Sequence, residues 1–203
     1  MIVELTVDEK DDTGVDIISF VESPAIEVDF LFFNENKEKF QFKDEDKRIV
    51  VGCAMIPNEK IIRLDADGNE YFVFFSEETV RKCSELYFKR SKQNGTNIDH
   101  NDPVKEGVTV VESWIVEDPD NDKSKALGFK DVLKGSWFVS YKVDNDTLWD
   151  KVKAGEVLGF SVEGLFTQTV TQENSKMENE LFEIIESCMT REEKIDAIKE
   201  KIK

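Results

Sequence analysis

The sequence predicts a mostly β, α+β fold, and three observations carry the prediction. The middle of the chain holds short apolar runs, "RIVVGCAMIP", "KIIRL", "EYFVFF", "SWFVSYKV" and "VLGFSVEGLF", each of strand length and bounded by polar or turn residues. "DADGN" between two of them supplies the Asp-Gly of a tight hairpin turn, which makes neighbouring strands antiparallel. Helical periodicity is confined to a few stretches, so helices cover β-structure rather than build the core.

The elements follow in order. From Met1 to about Phe42, "VDIISFVESPAIEVDFLFF" gives two β-rich runs broken at Ser23-Pro24, where proline removes a ladder donor. The polar stretch "NENKEKFQFKDEDK" separates this arm from the rest. Ser76 then caps a helix with Glu77 and Glu78 in its first turn. Val80, Cys83, Leu86, Tyr87 and Arg90 follow at near-helical spacing, and Asn94-Gly95 ends it. "GTNIDHNDP" reads as a polar loop. In the strand "GVTVVESWIVED" simple alternation places Val108, Val110, Glu112, Trp114 and Val116 on one face. After the loop "PDNDKSKALGFKDVLKG" and the strand "SWFVSYKV", Thr147 caps a short helix carrying Leu148, Trp149 and Val152. "VLGFSVEGLF", residues 157–166, is apolar on both faces, as expected of a strand covered on both sides in a barrel or sandwich. Beyond it, Met177, Leu181, Ile184, Ile185 and Cys188 make one helical stripe, and Thr190 with Glu193 forms a capping box for a last helix. The expected organisation is an N-terminal β-rich arm over 1–42 that joins a β-core over 43–170, followed by a helical tail over 171–203.

Charge and composition restrict the function. A net charge of −17 with no basic patch repels phosphate backbones and anionic lipid, so neither nucleic acid nor membrane is an expected partner. The opening "MIVELTVDEKDD" has neither a basic leader nor an apolar signal core, and a cytosolic protein is expected. Cys53, Cys83 and Cys188 lack metal-site spacing and read as small core residues. Asp118, Asp120 and Asp122 begin like a calcium loop, but Lys123 and Phe129 occupy the positions that need glycine and a bidentate glutamate. No metal or other cofactor is expected.

His100 is the chain's one histidine, so any mechanism that needs imidazole uses it. A serine hydroxyl requires an adjacent base to become a nucleophile, and Ser161 is a lone hydroxyl in an apolar strand. Periodicity alone leaves the bland alternative open: a histidine amid Asp99, Asn101 and Asp102 is ordinarily solvated, and a strand serine ordinarily bonds to backbone. "GFSVEG" departs from the Gly-x-Ser-x-Gly elbow and lies in an extended run, which removes the α/β-hydrolases.

The order "VDIISFVESPAIEVDF", "VVGCAMIPNEKIIRLDADGNEYFVFFSEETV", "IDHND", "VVESWIVED", "KGSWFVSYKVDND" and "GFSVEG" resembles the XkdF-like phage serine proteases, relatives of the prohead (capsid maturation) proteases, over about residues 13–166. The resemblance implies a herpesvirus-assemblin-like antiparallel β-barrel with surrounding helices, nucleophile and histidine on neighbouring strands. It implies Ser161 as nucleophile and His100 as general base. Phage scaffold and capsid-precursor proteins would be the substrates, cut inside the assembling prohead in the host bacterial cytoplasm, often with self-cleavage. No second histidine exists to be the third member. Glu112 is the expected orienter, with Asp102 and Glu163 as rivals and an ion pair with a lysine or arginine as its structural alternative. A non-enzymatic capsid-assembly or scaffold protein with the same fold is the alternative function, and the C-terminal helices suit either packing or self-association.

Overall fold

The computed structural model describes residues 2–22, 31–32, 47–104 and 106–170. The Ser23-Pro24 break, the polar stretch after it and the helical tail lie outside the described residues. The strands are β1 (Ile2–Thr6), β2 (Gly14–Val21), β3 (Leu31–Phe32), β4 (Ile49–Met55), β5 (Ile61–Leu64), β6 (Glu70–Phe74), β7 (Thr96–Ile98), β8 (Asp102–Val104), β9 (Val108–Ile115), β10 (Trp137–Val143), β11 (Gly159–Leu165) and β12 (Thr167–Val170). Helices α1 (Glu77–Lys89), α2 (Lys123–Ala126) and α3 (Asp146–Ala154) complete a mostly β, α+β molecule. No helix among the described residues is long and apolar enough to cross a membrane.

The barrel implied by the resemblance is not closed. Among the described residues the ladders form three four-stranded sheets, in the orders β12-β1-β6-β5, β3-β4-β10-β9 and β11-β2-β7-β8. The chain changes sheet between β1 and β2 and again between β11 and β12, so these joints turn corners instead of extending one ladder. Two parallel pairs, β1 with β6 and β2 with β7, interrupt the otherwise antiparallel pattern.

One continuous core fills the space between the sheets and α1. Phe20, Tyr141 and Phe160 pack edge-on within it, with ring centroids 5.3 Å apart for Phe20 and Tyr141 and 5.1 Å for Phe20 and Phe160. Each fully buried ring contributes about 1.5–3 kcal/mol. That burial fixes the β2–β11 register, because a slip of one residue would turn one of the two phenylalanines to the opposite face. Helix α1 begins at Ser76, whose side chain accepts from the Thr79 N–H, and buries Val80, Cys83, Leu86 and Tyr87 as its periodicity predicts. The Tyr87 hydroxyl lies 3.2 Å from that of Tyr141, so α1 is tied to β10 by a polar contact inside the core.

Three local expectations are corrected. Helix α3 is capped by Asn145, whose Oδ1 accepts from the Leu148 N–H at 2.9 Å; Thr147 lies inside the helix. The stretch expected as a polar loop around His100 contains β7 and β8, strands too short for alternation to show. The face shared by Val108, Val110, Glu112 and Trp114 does not exist, because the β9–β10 register shifts. Val110 stands opposite Tyr141 while Glu112 stands opposite Ser140, which leaves Val111 as an extra residue on β9. This bulge reverses the alternation. Val108 and Val110 face the main core, whereas Trp114 turns to a second cluster with Val51, Cys53, Val116, Phe129 and Phe138.

Candidate active site

The β11-β2-β7-β8 sheet builds a row of polar side chains across three strands. Phe20 and Phe160 fill one face, so alternation sends Ser19, Ser161 and Glu163 to the other. Ser19 and Ser161 stand directly opposite each other in the antiparallel β2–β11 pair. β7 runs beside β2 on its far side and supplies Asn97. Thr96 donates to the Ile18 carbonyl at 2.6 Å and fixes that strand in place.

His100 enters from the turn between β7 and β8. Asp99 and His100 have φ of 48° and 61°, and the Asn101 N–H donates to the Ile98 carbonyl at 3.1 Å. Two consecutive left-handed residues within a four-residue bonded turn are the hallmark of type I′ geometry, here without glycine. The turn is fixed by flanking bonds: the Asp99 N–H donates to the Phe20 carbonyl at 2.9 Å, and the Asp99 carboxylate accepts from the Glu22 N–H at 2.9 Å. Backbone of this kind costs of order 1–3 kcal/mol per residue and persists where the surroundings over-determine it.

The held imidazole reaches over Ser19 to Glu163. Nδ1 of His100 is 2.8 Å from Glu163 Oε1 and 3.2 Å from Ser19 Oγ. The same carboxylate oxygen accepts from the Ser19 hydroxyl at 2.7 Å and from Asn97 Nδ2 at 2.6 Å. Partial burial works to raise the Glu163 carboxyl pKa, but the hydrogen bonds from Ser19, Asn97 and His100 outweigh it and hold the group below its usual range. An ionised carboxylate only accepts, so Nδ1 is the nitrogen that carries the proton, and in the neutral imidazole this tautomer puts the lone pair on Nε2. Nε2 makes no hydrogen bond among the described residues, and neither does the Ser161 hydroxyl.

The two serines differ in access. Ser19 is fully buried and directs its proton to Glu163, whereas half-buried Ser161 lines a cavity of about 420 Å³. Leu5, Met55, Phe75, Phe160 and Phe166 give that cavity an apolar wall, and Glu163 also borders it. Of the pair, Ser161 is the serine that borders open space.

The structure brings His100 and Glu163 into contact and places Ser161 one strand from Ser19. His100 and Ser161 are not on neighbouring strands, since β2 lies between β7 and β11. Glu112 is elsewhere. The β9 bulge turns it away from the main core, where it accepts from the Lys123 ammonium and from the Ser140 hydroxyl at 2.7 Å. The Lys123 hydrogen bond draws its pKa below the usual range, opposed by partial burial and helped by Ser140. Its ion-pair alternative is therefore the arrangement present. Asp102 lies in β8, paired through its backbone with Ile98. Ser19 and Asn97 are additions to the expected site. Ser19, in "DIISF", carries the same signal as Ser161, a hydroxyl within an apolar strand; Asn97 sits in a strand too short to recognise.

Comparison with known proteins bears on the family of the chain. A family model described as "Putative phage serine protease XkdF" matches residues 37–170, well over half of the chain. The phage-like element PBSX protein XkdF of Bacillus subtilis (strain 168) is 25% identical over 160 residues, covering 74% of this chain and 52% of that protein. The uncharacterized protein YqbD of the same organism is 22% identical over 172 residues, covering 80% of this chain and 48% of its own length. The chain thus spans about half the length of these curated relatives. No solved structure matches it significantly. With its motifs, its matched span and its relatives in agreement, the chain belongs to the family described as "Putative phage serine protease XkdF".

Proposed function

We propose that the protein is a serine endopeptidase of phage capsid maturation, with Ser161 as nucleophile, His100 as general base and Glu163 as the carboxylate that orients the base. The observation that carries this reading is the Glu163 contact on Nδ1 of the chain's one histidine, next to Ser19 of the serine row; in the neutral imidazole that contact leaves Nε2 as the base. Directly opposed residues of an antiparallel pair have Cα atoms about 4.5–5.5 Å apart, so Ser161 neighbours Ser19, which meets the imidazole at Nδ1, and a gap remains between Ser161 and Nε2. The gap closes by side-chain rotation, as catalytic hydrogen bonds often tighten only when substrate is bound.

In the reaction, Ser161 Oγ attacks the scissile carbonyl while its proton passes to Nε2 of His100. Glu163 balances the imidazolium without taking the proton. Collapse of the tetrahedral intermediate breaks the C–N bond, and Nε2 returns the proton to the leaving amine. Water then enters by the same route: His100 removes its proton, the hydroxide attacks the acyl ester, and Ser161 is regenerated with release of a carboxylic acid. The apolar cavity beside Ser161 receives a substrate side chain. Phage scaffold and capsid-precursor proteins are the substrates, met inside the prohead in the host bacterial cytoplasm, and self-cleavage accompanies maturation. Self-association through the tail belongs to the same proposal.

Mass spectrometry of the wild-type chain beside Ser161→Ala and His100→Ala, each incubated alone and with a candidate scaffold protein, tests the reading. Cleavage confined to wild type, with losses of about 10⁴-fold or more in the variants, is expected. Identical fragments from all three chains would overturn it. Intact masses throughout, including samples assembled with capsid precursors, would leave the non-enzymatic capsid-assembly role.

A further inference from the structure

Two buried polar side chains in this molecule have their side-chain contacts at a single place. Ser19 is fully buried and Asn97 nearly so, and both donate to the same oxygen of Glu163. Asn97 does this although its own Oδ1 is buried with no hydrogen-bond partner among the described residues. Polar groups are retained in such positions when the contact they make cannot be supplied otherwise. Because the Ser19 proton goes to Glu163, the Ser19 oxygen faces Nδ1 of His100 at 3.2 Å as an acceptor. Nδ1 is thus surrounded by acceptors and the carboxylate by donors.

We propose that Ser19 and Asn97 are positioning residues, a buried clamp that holds the Glu163 carboxylate on Nδ1 of His100 and fixes the imidazole in the tautomer with its proton on Nδ1. The value of that tautomer, an open Nε2, rests on the serine-protease reading; the clamp itself does not. Neither residue touches substrate. Ser19 acts through two partners at once, since it donates to the carboxylate and accepts from the ring that the carboxylate orients. Asn97 approaches from the strand on the other side of β2 and prevents the carboxylate from turning towards the cavity that it borders. A Glu163 side chain without these donors would be free to take its hydrogen bonds from water in that cavity.

The single histidine makes the test direct, because every imidazole signal in a ¹H–¹⁵N spectrum belongs to His100. At roughly pH 8–9, where an imidazole is ordinarily neutral, the full-length wild-type chain is expected to show Nδ1 protonated and Nε2 bare. Ser19→Ala, which removes one oxygen, and Asn97→Leu, which keeps the side-chain shape and removes the unpartnered Oδ1, are each expected to move the spectrum towards the Nε2–H form. An unchanged backbone amide pattern elsewhere verifies the fold of each variant. In peptide cleavage both variants lower kcat roughly 10- to 100-fold at unchanged KM, the scale of a lost hydrogen bond to a charged group. Wild-type signals from an Nε2–H imidazole, or variant spectra identical to wild type in correctly folded chains, would overturn the clamp. Failure of the protease reading has a different signature: the tautomer responds as stated, and neither the wild-type chain nor any variant cleaves peptide.

Discussion

Ser19 and Ser161 face each other across the β2–β11 pair, yet one is sealed against solvent and spends its proton on Glu163 while the other opens on a cavity. Two chemically identical side chains thus differ in both burial and hydrogen bonding. The sheet beneath them is held by the edge-on packing of Phe20 and Phe160, the residues next to each serine, so the core register is also the register of the site.

The carboxylate assignment separates Glu163 from Glu112. Glu163→Gln replaces the acceptor on Nδ1 by an amide that can present its donor instead, and cleavage is expected to fall by about 10²–10⁴-fold in kcat. Glu112→Gln breaks a partly exposed pair with Lys123, an interaction worth roughly 0–1 kcal/mol, and is expected to leave cleavage within about twofold of wild type. Steady-state kinetics of the two variants side by side decides the matter, and the reverse ranking would restore Glu112 as orienter.

Acid stability carries the mark of the same contact. The Glu163 carboxyl is held below its ordinary value of 4.5 in the folded chain, so its contribution is present above that value and is lost as pH falls through the lower, folded one. The carboxyl's share of the stability difference between wild type and Glu163→Gln is therefore expected to shrink as pH falls below about 4.5. Urea midpoints from pH 7 to pH 3 give the comparison. A difference that grows between about pH 4.5 and pH 3 would contradict the sign.

Gly164 answers for the geometry of β11. A Cβ at this position would lie 1.9 Å from the Gly14 carbonyl oxygen, where the β2–β11 register shifts between Glu163 and Gly164. Gly164→Ala is expected to destabilise the fold by roughly 1–3 kcal/mol. For a chain of this size that lowers Tm by roughly 2–4 °C per kcal/mol. Because Glu163 is its neighbour, activity should fall further than the unfolded fraction explains, measured at a temperature where both chains are folded.

The buried thiols provide a check on the core. Burial pushes the Cys83 thiol up to about 12 and raises that of Cys53 further, against a weaker opposing effect of the Met55 backbone. Neither is a thiolate near neutrality, so iodoacetamide at roughly pH 8 is expected to spare both in the native chain and to modify both in urea. Rapid native labelling of either would show that α1 or β4 opens readily.

By itself the amino-acid sequence determined the long elements and the candidate pair of residue types. The cap at Ser76 and the apolar spacing of α1, the antiparallel runs of β4, β5, β6, β9, β10 and β11, and the uniqueness of His100 are all local properties of neighbouring residues. Tertiary structure decided what local pattern cannot carry. The bulge at Val111 arises from pairing with β10, and it sends Glu112 to Lys123 instead of the histidine. The strands β7 and β8 have too few residues to show a period, and they gain identity only from β2 beside them. Glu163 meets His100, and Ser19 and Asn97 meet Glu163, across 63, 144 and 66 positions of sequence. A hydrogen bond depends on where strands lie in space, and strand order is set by burial of the whole core, which no single segment encodes.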